Sequence, residues 1–187
     1  MPQKEIKMID PVKIIDTFYK ENDPAREILL LHSTQVRNKA LSIAKRVKTA
    51  DLEIISAGAM LHDIGIRFCN APGLGCFGDD DYLLHGILGA EYIRFLGFEG
   101  CETFARIHER HTGSGISADE IFERKMALPE KDYLPETTEE KIICLADKFF
   151  SKSGDMQEKT VEKIRKELEK FGKAPLERFD ALCREFL

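Results

Sequence analysis

Apolar residues recur along the chain at three- and four-residue spacing, the period of helices with one buried face. Asp10 and Pro11 open the first such segment as N-cap and first helical residue, with Val12, Ile15 and Tyr19 on one side. Asp23 and Pro24 repeat that start signal, with Glu27 in the first turn. The run Ile28 to Leu31 then leads into His32, and Val36, Ala40, Ile43 and Val47 continue at helix spacing. Asp51 begins a further helix carrying Leu52, Ile55, Ala59 and His62, with Gly65 as its expected stop. Residues 67–81 read as a Gly- and Pro-rich loop. It ends in Asp79, Asp80 and Asp81, either a cation-binding run or a solvated loop edge with a helix cap. Helices follow over 84–96, closed by Gly97, and over 104–111, broken at Thr112-Gly113-Ser114-Gly115. A Pro-bounded connector spans 128–135, and Thr137 and Thr138 start the next helix. Its stretch from Ile142 to Ala146 is apolar on every side, so it is expected to run through the core. Two last stripes, Val161, Ile164, Leu168, Phe171 and then Leu176, Phe179, Leu182, Phe186, face either the core or a homodimer partner. No period-2 strand and no internal repeat is found. The pattern predicts an all-α chain: one helical-bundle domain over 1–187, with a core of about 24–150 and an N-terminal helix and C-terminal helical hairpin packed on it.

Composition narrows the function classes. Of 187 residues, 43% are hydrophobic and 33% charged, enough for a core and a solvated surface. The net charge of −5 offers no basic footprint, which argues against general nucleic-acid binding. No apolar run approaches the ~20 residues that span a bilayer, and residues 1–7 lack the apolar core of a signal peptide. A cytoplasmic protein without a membrane partner is expected. The five cysteines are odd in number and form no Cys-x-x-Cys, so reduced thiols are expected, with Cys69 and Cys76 flanking one loop as the only candidate pair.

The chemistry lies in the histidines. His32, His62, His85, His108 and His111 each fall at or near a predicted helix end or beside a glycine, a placement that suggests convergence at the mouth of a bundle. Asp63 follows His62 directly, and adjacent helical residues point ~100° apart, so both can meet an ion seated against the helix. An imidazole and a carboxylate suit a divalent transition metal such as Mn, Fe, Ni or Zn. His32 can supply a third ligand. Asp147 sits between Leu145-Ala146 and Phe149-Phe150, where burying a carboxylate costs several kcal/mol unless it is paired or coordinated. Metal ligation, a salt bridge with Lys148 and a capping role all answer that cost. Gly-rich phosphate loops, dinucleotide fingerprints and nucleophile elbows do not occur, which removes NTPase, dehydrogenase and serine-hydrolase readings.

The order His32, His62-Asp63, His85, His111, Asp147 resembles the HD-domain superfamily of metal-dependent phosphohydrolases, and Leu61-His62-Asp63-Ile64-Gly65 is similar to its signature segment. The resemblance covers roughly Leu30 to Phe150. It implies His32, His62, Asp63 and Asp147 as primary metal ligands, and His85 with a histidine of the 107–111 segment as the additional pair of two-metal members, or as groups facing the substrate phosphate in one-metal members. The ending His111-Thr112-Gly113 favours His111 over His108 for that role. Asp63, His85 and His111 are then the catalytic candidates, with Arg67 and Lys148 as the basic candidates for a phosphate clamp. One or two ions and a small phosphorylated metabolite or nucleotide are implied. A di-iron oxygenase and a non-catalytic nucleotide-sensing module are the competing readings.

Overall fold

The computed structural model of the chain describes residues 9–20 and 23–187. The signal-peptide reading of residues 1–7 lies outside them. Nine α-helices occur among the described residues: α1 (Pro11–Phe18), α2 (Pro24–Ala44), α3 (Leu52–Leu61), α4 (His85–Leu96), α5 (Cys101–Arg110), α6 (Ala118–Arg124), α7 (Thr138–Lys148), α8 (Val161–Glu169) and α9 (Lys173–Phe186). The fold class is all-α, as the periodicity predicts.

Local chemistry sets most of the starts. The Asp10, Asp23 and Asp51 side chains accept from the first-turn amides of α1, α2 and α3, and Ser117 and Thr137 form capping boxes with Glu120 and Glu140 at α6 and α7. Asp81 caps a short 3-10 turn, Tyr82–Leu84, by accepting from Leu83 N at 2.8 Å. The acidic triplet therefore ends in a cap.

Ile142, Ile143, Cys144, Leu145 and Ala146 are all fully buried, so α7 runs through the core as expected, against α2, α3, α5 and α9. Phe179, Leu182 and Phe186 also turn inward. Phe171 does not: α8 ends at Glu169, and the ring is 52% exposed. All five cysteines are free. No helix among the described residues is long and apolar enough to cross a membrane.

Three readings are corrected. The 67–81 loop contains an antiparallel hairpin, β1 (Asn70–Ala71) with β2 (Cys76–Phe77). Two-residue strands are too short to show a period. Helix α6 falls where no helix was expected, although its capping box was in the sequence. Gly65 is not a helix stop: α3 ends at Leu61, and Gly65 lies inside a 3-10 turn, Ile64–Phe68. It is needed for close approach instead. A Cβ there would stand 2.1 Å from His85 O and 2.4 Å from Gly89 N.

Candidate metal centre

The turn after α3 packs against the start of α4, and that contact assembles the site. His62 is the C-cap of α3 and Asp63 follows it. His85 is the first residue of α4, His111 the C-cap of α5, and Asp147 lies in the last turn of α7. Helix ends thus supply most of the cluster, as expected. His32 departs from that pattern: it sits mid-helix in α2 and enters the cluster from the side. The six side chains come from segments far apart in sequence, and all six residues are buried.

Asp63 is the centre of the arrangement. Its Oδ2 lies 3.1 Å from His32 Nε2 and 3.0 Å from His62 Nε2. Asp147 Oδ1 completes this group at 3.0 Å from His32 Nε2 and 3.5 Å from His62 Nε2. The other oxygen of Asp63, Oδ1, faces a second group, 3.4 Å from His85 Nε2 and 3.3 Å from His111 Nε2, which are 3.0 Å from each other. Within each of these two groups the donor atoms lie within 4.8 Å of one another.

Hydrogen bonding fixes what these atoms present. The Nδ1 atoms of His62, His85 and His111 sit 2.7, 2.6 and 2.7 Å from the carbonyls of Ala59, Tyr82 and His108. A carbonyl only accepts, so each Nδ1 carries a proton and each Nε2 faces inward, offering a lone pair wherever the ring is neutral or a metal has displaced the second proton. Lone pairs aimed at one another and at carboxylates repel, unless a cation lies among them. Donors placed ~2.1 Å from one ion stand about 3.0 Å apart at right angles and about 3.4 Å apart tetrahedrally. The observed 3.0–3.5 Å separations match those edges. Neither oxygen of Asp63 accepts a well-angled hydrogen bond although it is fully buried. Donor set, tautomers and spacing together fit one or two divalent cations.

Electrostatics agree. Burial opposes the charge of Asp63, but His62 and Lys152 hold its carboxyl well below the usual range. Burial likewise opposes Asp147, where Lys152 and His32 prevail. His62 loses to burial and gains more from the two carboxylates, so it is pushed up to about 9. The acidic pair draws positive charge to this point, and a metal competes with the proton for it. Burial drives His85 the other way, down to about 3, with His111 adding to the effect.

The remaining candidates separate. His108 stays outside the cluster: its Nδ1 lies 2.7 Å from Phe104 O, and its ring packs against the backbone of Gly89. Arg67 is not brought to the cluster either. Its guanidinium pairs with Asp23 at 3.1 Å and lies over the Tyr19 ring, so it ties the 3-10 turn to the start of α2. Lys148 lines the cleft beside the cluster, with Nζ 3.8 Å from Asp147 Oδ2. Sequence reasoning missed Lys152, whose Nζ is 2.7 Å from Asp63 Oδ2, and Tyr82, which stacks on His85 at 4.8 Å. Nothing in the polar run Ser151 to Asp155 marks Lys152 beforehand. The loop after His111 is held by Arg178, which donates to Gly115 O at 2.8 Å and pairs with Glu120, and by Ser114, which donates to Pro175 O.

His108 gives a test at neutral to acid pH. Burial lowers it to about 3, against about 6.5 in the unfolded chain. A depressed imidazole stabilises the fold above the unfolded value and loses that contribution as pH falls from 6.5 toward 3. Between pH 7 and pH 5 the loss from this one group is about 2 kcal/mol. His108→Asn should be less stable at pH 7 and show a smaller drop at pH 5 in urea unfolding. An identical drop in both proteins would show that His108 is not the group responsible.

The chain is 34% identical over 149 residues to a tRNA (cytidine(56)-2'-O)-methyltransferase of Thermoplasma volcanium, which covers 79% of this chain and 39% of that one. It is 40% identical over 111 residues to an uncharacterised protein of Methanocaldococcus jannaschii, covering 59% of this chain and 57% of the relative. A methyltransferase of the same description from Picrophilus torridus is 35% identical over 131 residues, covering 70% of this chain and 34% of the relative. The chain therefore spans between a third and three fifths of the length of these relatives. Its fold is similar to the solved HD domain of the L. monocytogenes phosphodiesterase PgpH, with a TM-score of 0.53, 18% identity, and coverage of 94% of this chain and 83% of that one. Residues 29–151, which carry all six clustered side chains, match the HD domain family model, and the chain belongs to that family.

Proposed function

We propose that the chain is a metal-dependent phosphohydrolase acting on a small phosphorylated metabolite or nucleotide. One observation carries the reading: Asp63 offers one oxygen to the His32, His62, Asp147 group and the other to the His85, His111 group. A carboxylate shared in this way suits two ions held close together. Bound divalent metal supplies Lewis-acid charge at a phosphoryl oxygen and lowers the pKa of water toward ~7.

The residues do the rest. The backbone carbonyls of Ala59, Tyr82 and His108 hold three imidazoles with Nε2 forward, so little reorganisation is needed when ligands bind. With a single ion bound, Asp63 would keep one oxygen free to orient an attacking water and take its proton. Lys148, on the cleft wall, supplies positive charge toward an anionic substrate. Cleft volume, about 470 Å³, is in the range of small-ligand sites. The chain aligns with only 39% and 34% of the two methyltransferases, so their named activity is not carried over to it. The net charge of −5 also disfavours tRNA as a partner.

The test is elemental analysis of chelator-free protein, followed by a Mn²⁺-supplemented screen of phosphomonoesters and phosphodiesters. Two ions per chain are expected, seen in a Mn²⁺ crystal as peaks about 3.5–4 Å apart, with hydrolysis abolished by EDTA. His111→Ala should lower hydrolysis by at least ~10-fold through loss of a ligand. Iron-dependent O₂ consumption without phosphate release would favour the oxygenase. Absence of both metal and turnover would favour the sensing module.

A further inference from the structure

An open cleft of about 470 Å³ lies beside the donor cluster, with Leu74, Tyr82, Asp147, Lys148, Phe150 and Lys152 among its walls. Asp147, Tyr82 and Lys152 reach both the cleft and the cluster. Asp147 belongs to the donor set, and Tyr82 stacks on His85 with its hydroxyl hydrogen-bonded to Lys152. Lys152 is built differently. The residue also lines a small, mainly apolar gap with Tyr19, Leu29 and Leu74. Its Nζ stands 2.7 Å from Asp63 Oδ2, and the residue lines the open cleft. An ammonium has three donors; Asp63 Oδ2 and the Tyr82 hydroxyl take two of them, which leaves one for a ligand in the cleft. Ser151 and Ser153 flank it and line the same cleft.

Charge balance indicates what the cleft accepts. Asp63 and Asp147 are cancelled by Lys148 and Lys152, and imidazoles that ligate a metal are neutral. One divalent ion then leaves a double positive charge, and a second ion adds to it. That excess matches the dianion of a phosphomonoester better than the single charge of a diester.

We propose that Lys152 is a ligand for the phosphoryl oxygens of a substrate in this cleft, and that with Lys148 it selects phosphomonoesters over phosphodiesters. The proposal rests on the hydrolase reading for its substrate, yet it makes a binding claim of its own. An ammonium serving only as a structural counter-ion to Asp63 would affect metal content and stability, not the choice of anion.

The test uses Mn²⁺-loaded full chain at pH 8, titrated calorimetrically with inorganic phosphate and with dimethyl phosphate. Lys152→Met keeps the stem and removes the charge. Phosphate affinity is expected to fall by at least about 10-fold, the loss of a charge-assisted hydrogen bond. Mn²⁺ content and dimethyl phosphate affinity should stay level, and Lys152→Arg should regain part of the phosphate affinity. Lys152→Gln replaces the Met variant, with the same criteria, if the latter does not fold. The proposal is overturned by unchanged phosphate affinity, by equal losses for both anions, by loss of Mn²⁺, or by a parent that binds neither anion. Lys152-dependent phosphate binding in a parent that hydrolyses no phosphomonoester would keep the anion site and refute the hydrolase reading. Hydrolysis of p-nitrophenyl phosphate that is indifferent to Lys152→Met would do the reverse.

Discussion

Asp63→Asn is expected to remove the metal and, with it, hydrolysis, by more than the ~10–100-fold that loss of an outer support gives. Asn keeps the shape of the side chain but replaces one carboxylate oxygen with an amide nitrogen, which has no lone pair to offer. Both halves of the cluster meet on this residue, Oδ2 beside His32 and His62, Oδ1 beside His85 and His111, so a single substitution disturbs both. The readout need not depend on a substrate. A ligand that binds only the folded state raises the melting temperature in proportion to its affinity. Mn²⁺ should raise the melting temperature of the parent and leave that of Asp63→Asn unchanged. Full metal occupancy of Asp63→Asn by elemental analysis would show that Asp63 does not join the two groups.

Gly65→Ala should be among the most damaging substitutions outside the donor set. The added Cβ meets backbone, His85 O at 2.1 Å and Gly89 N at 2.4 Å, so no side chain can rotate away to make room. The 3-10 turn and α4 must move apart. Overpacking of this kind costs on the order of 3 kcal/mol or more, or a fall of about 6–12 °C in Tm for a chain of this length. Separation of the turn from α4 also draws His85 away from Asp63, so metal affinity should fall alongside stability. Gly73→Ala is the control: a Cβ there meets nothing within 4 Å, and its Tm should stay close to that of the parent. If the two variants melt together, the close approach at Gly65 is not what the signature glycine is for.

These two predictions differ in how far the sequence foreshadowed them. Asp63 was legible because a carboxylate beside an imidazole carries a chemical meaning in the sequence itself. The reason for Gly65 was not: a glycine after a helix reads as a stop, and its actual neighbours, His85 and Gly89, belong to a later helix. Arg67 and Lys152 show the same division. Arg67 stands next to the signature in sequence, but the turn directs it to Asp23. Lys152 sits in a run of small polar residues that looks like solvated loop, and the fold carries it to Asp63.

The sequence alone determined what is settled within a turn or two of chain. Asp10, Asp23, Asp51 and Thr137 start helices because a side-chain oxygen reaches amides two or three residues ahead. The stretch Ile142 to Ala146 of α7 is buried because no face of it favours water. The types and order of the six donor side chains were also legible. Tertiary structure alone decided which atoms converge. His108 and His111 share a helix face and differ by one turn, yet only His111 Nε2 comes within 3.3 Å of Asp63. The ending His111-Thr112-Gly113 already pointed to His111 by resemblance, but the physical cause is the packing of α4 against α5 and the turn after α3, contacts between residues far apart along the chain.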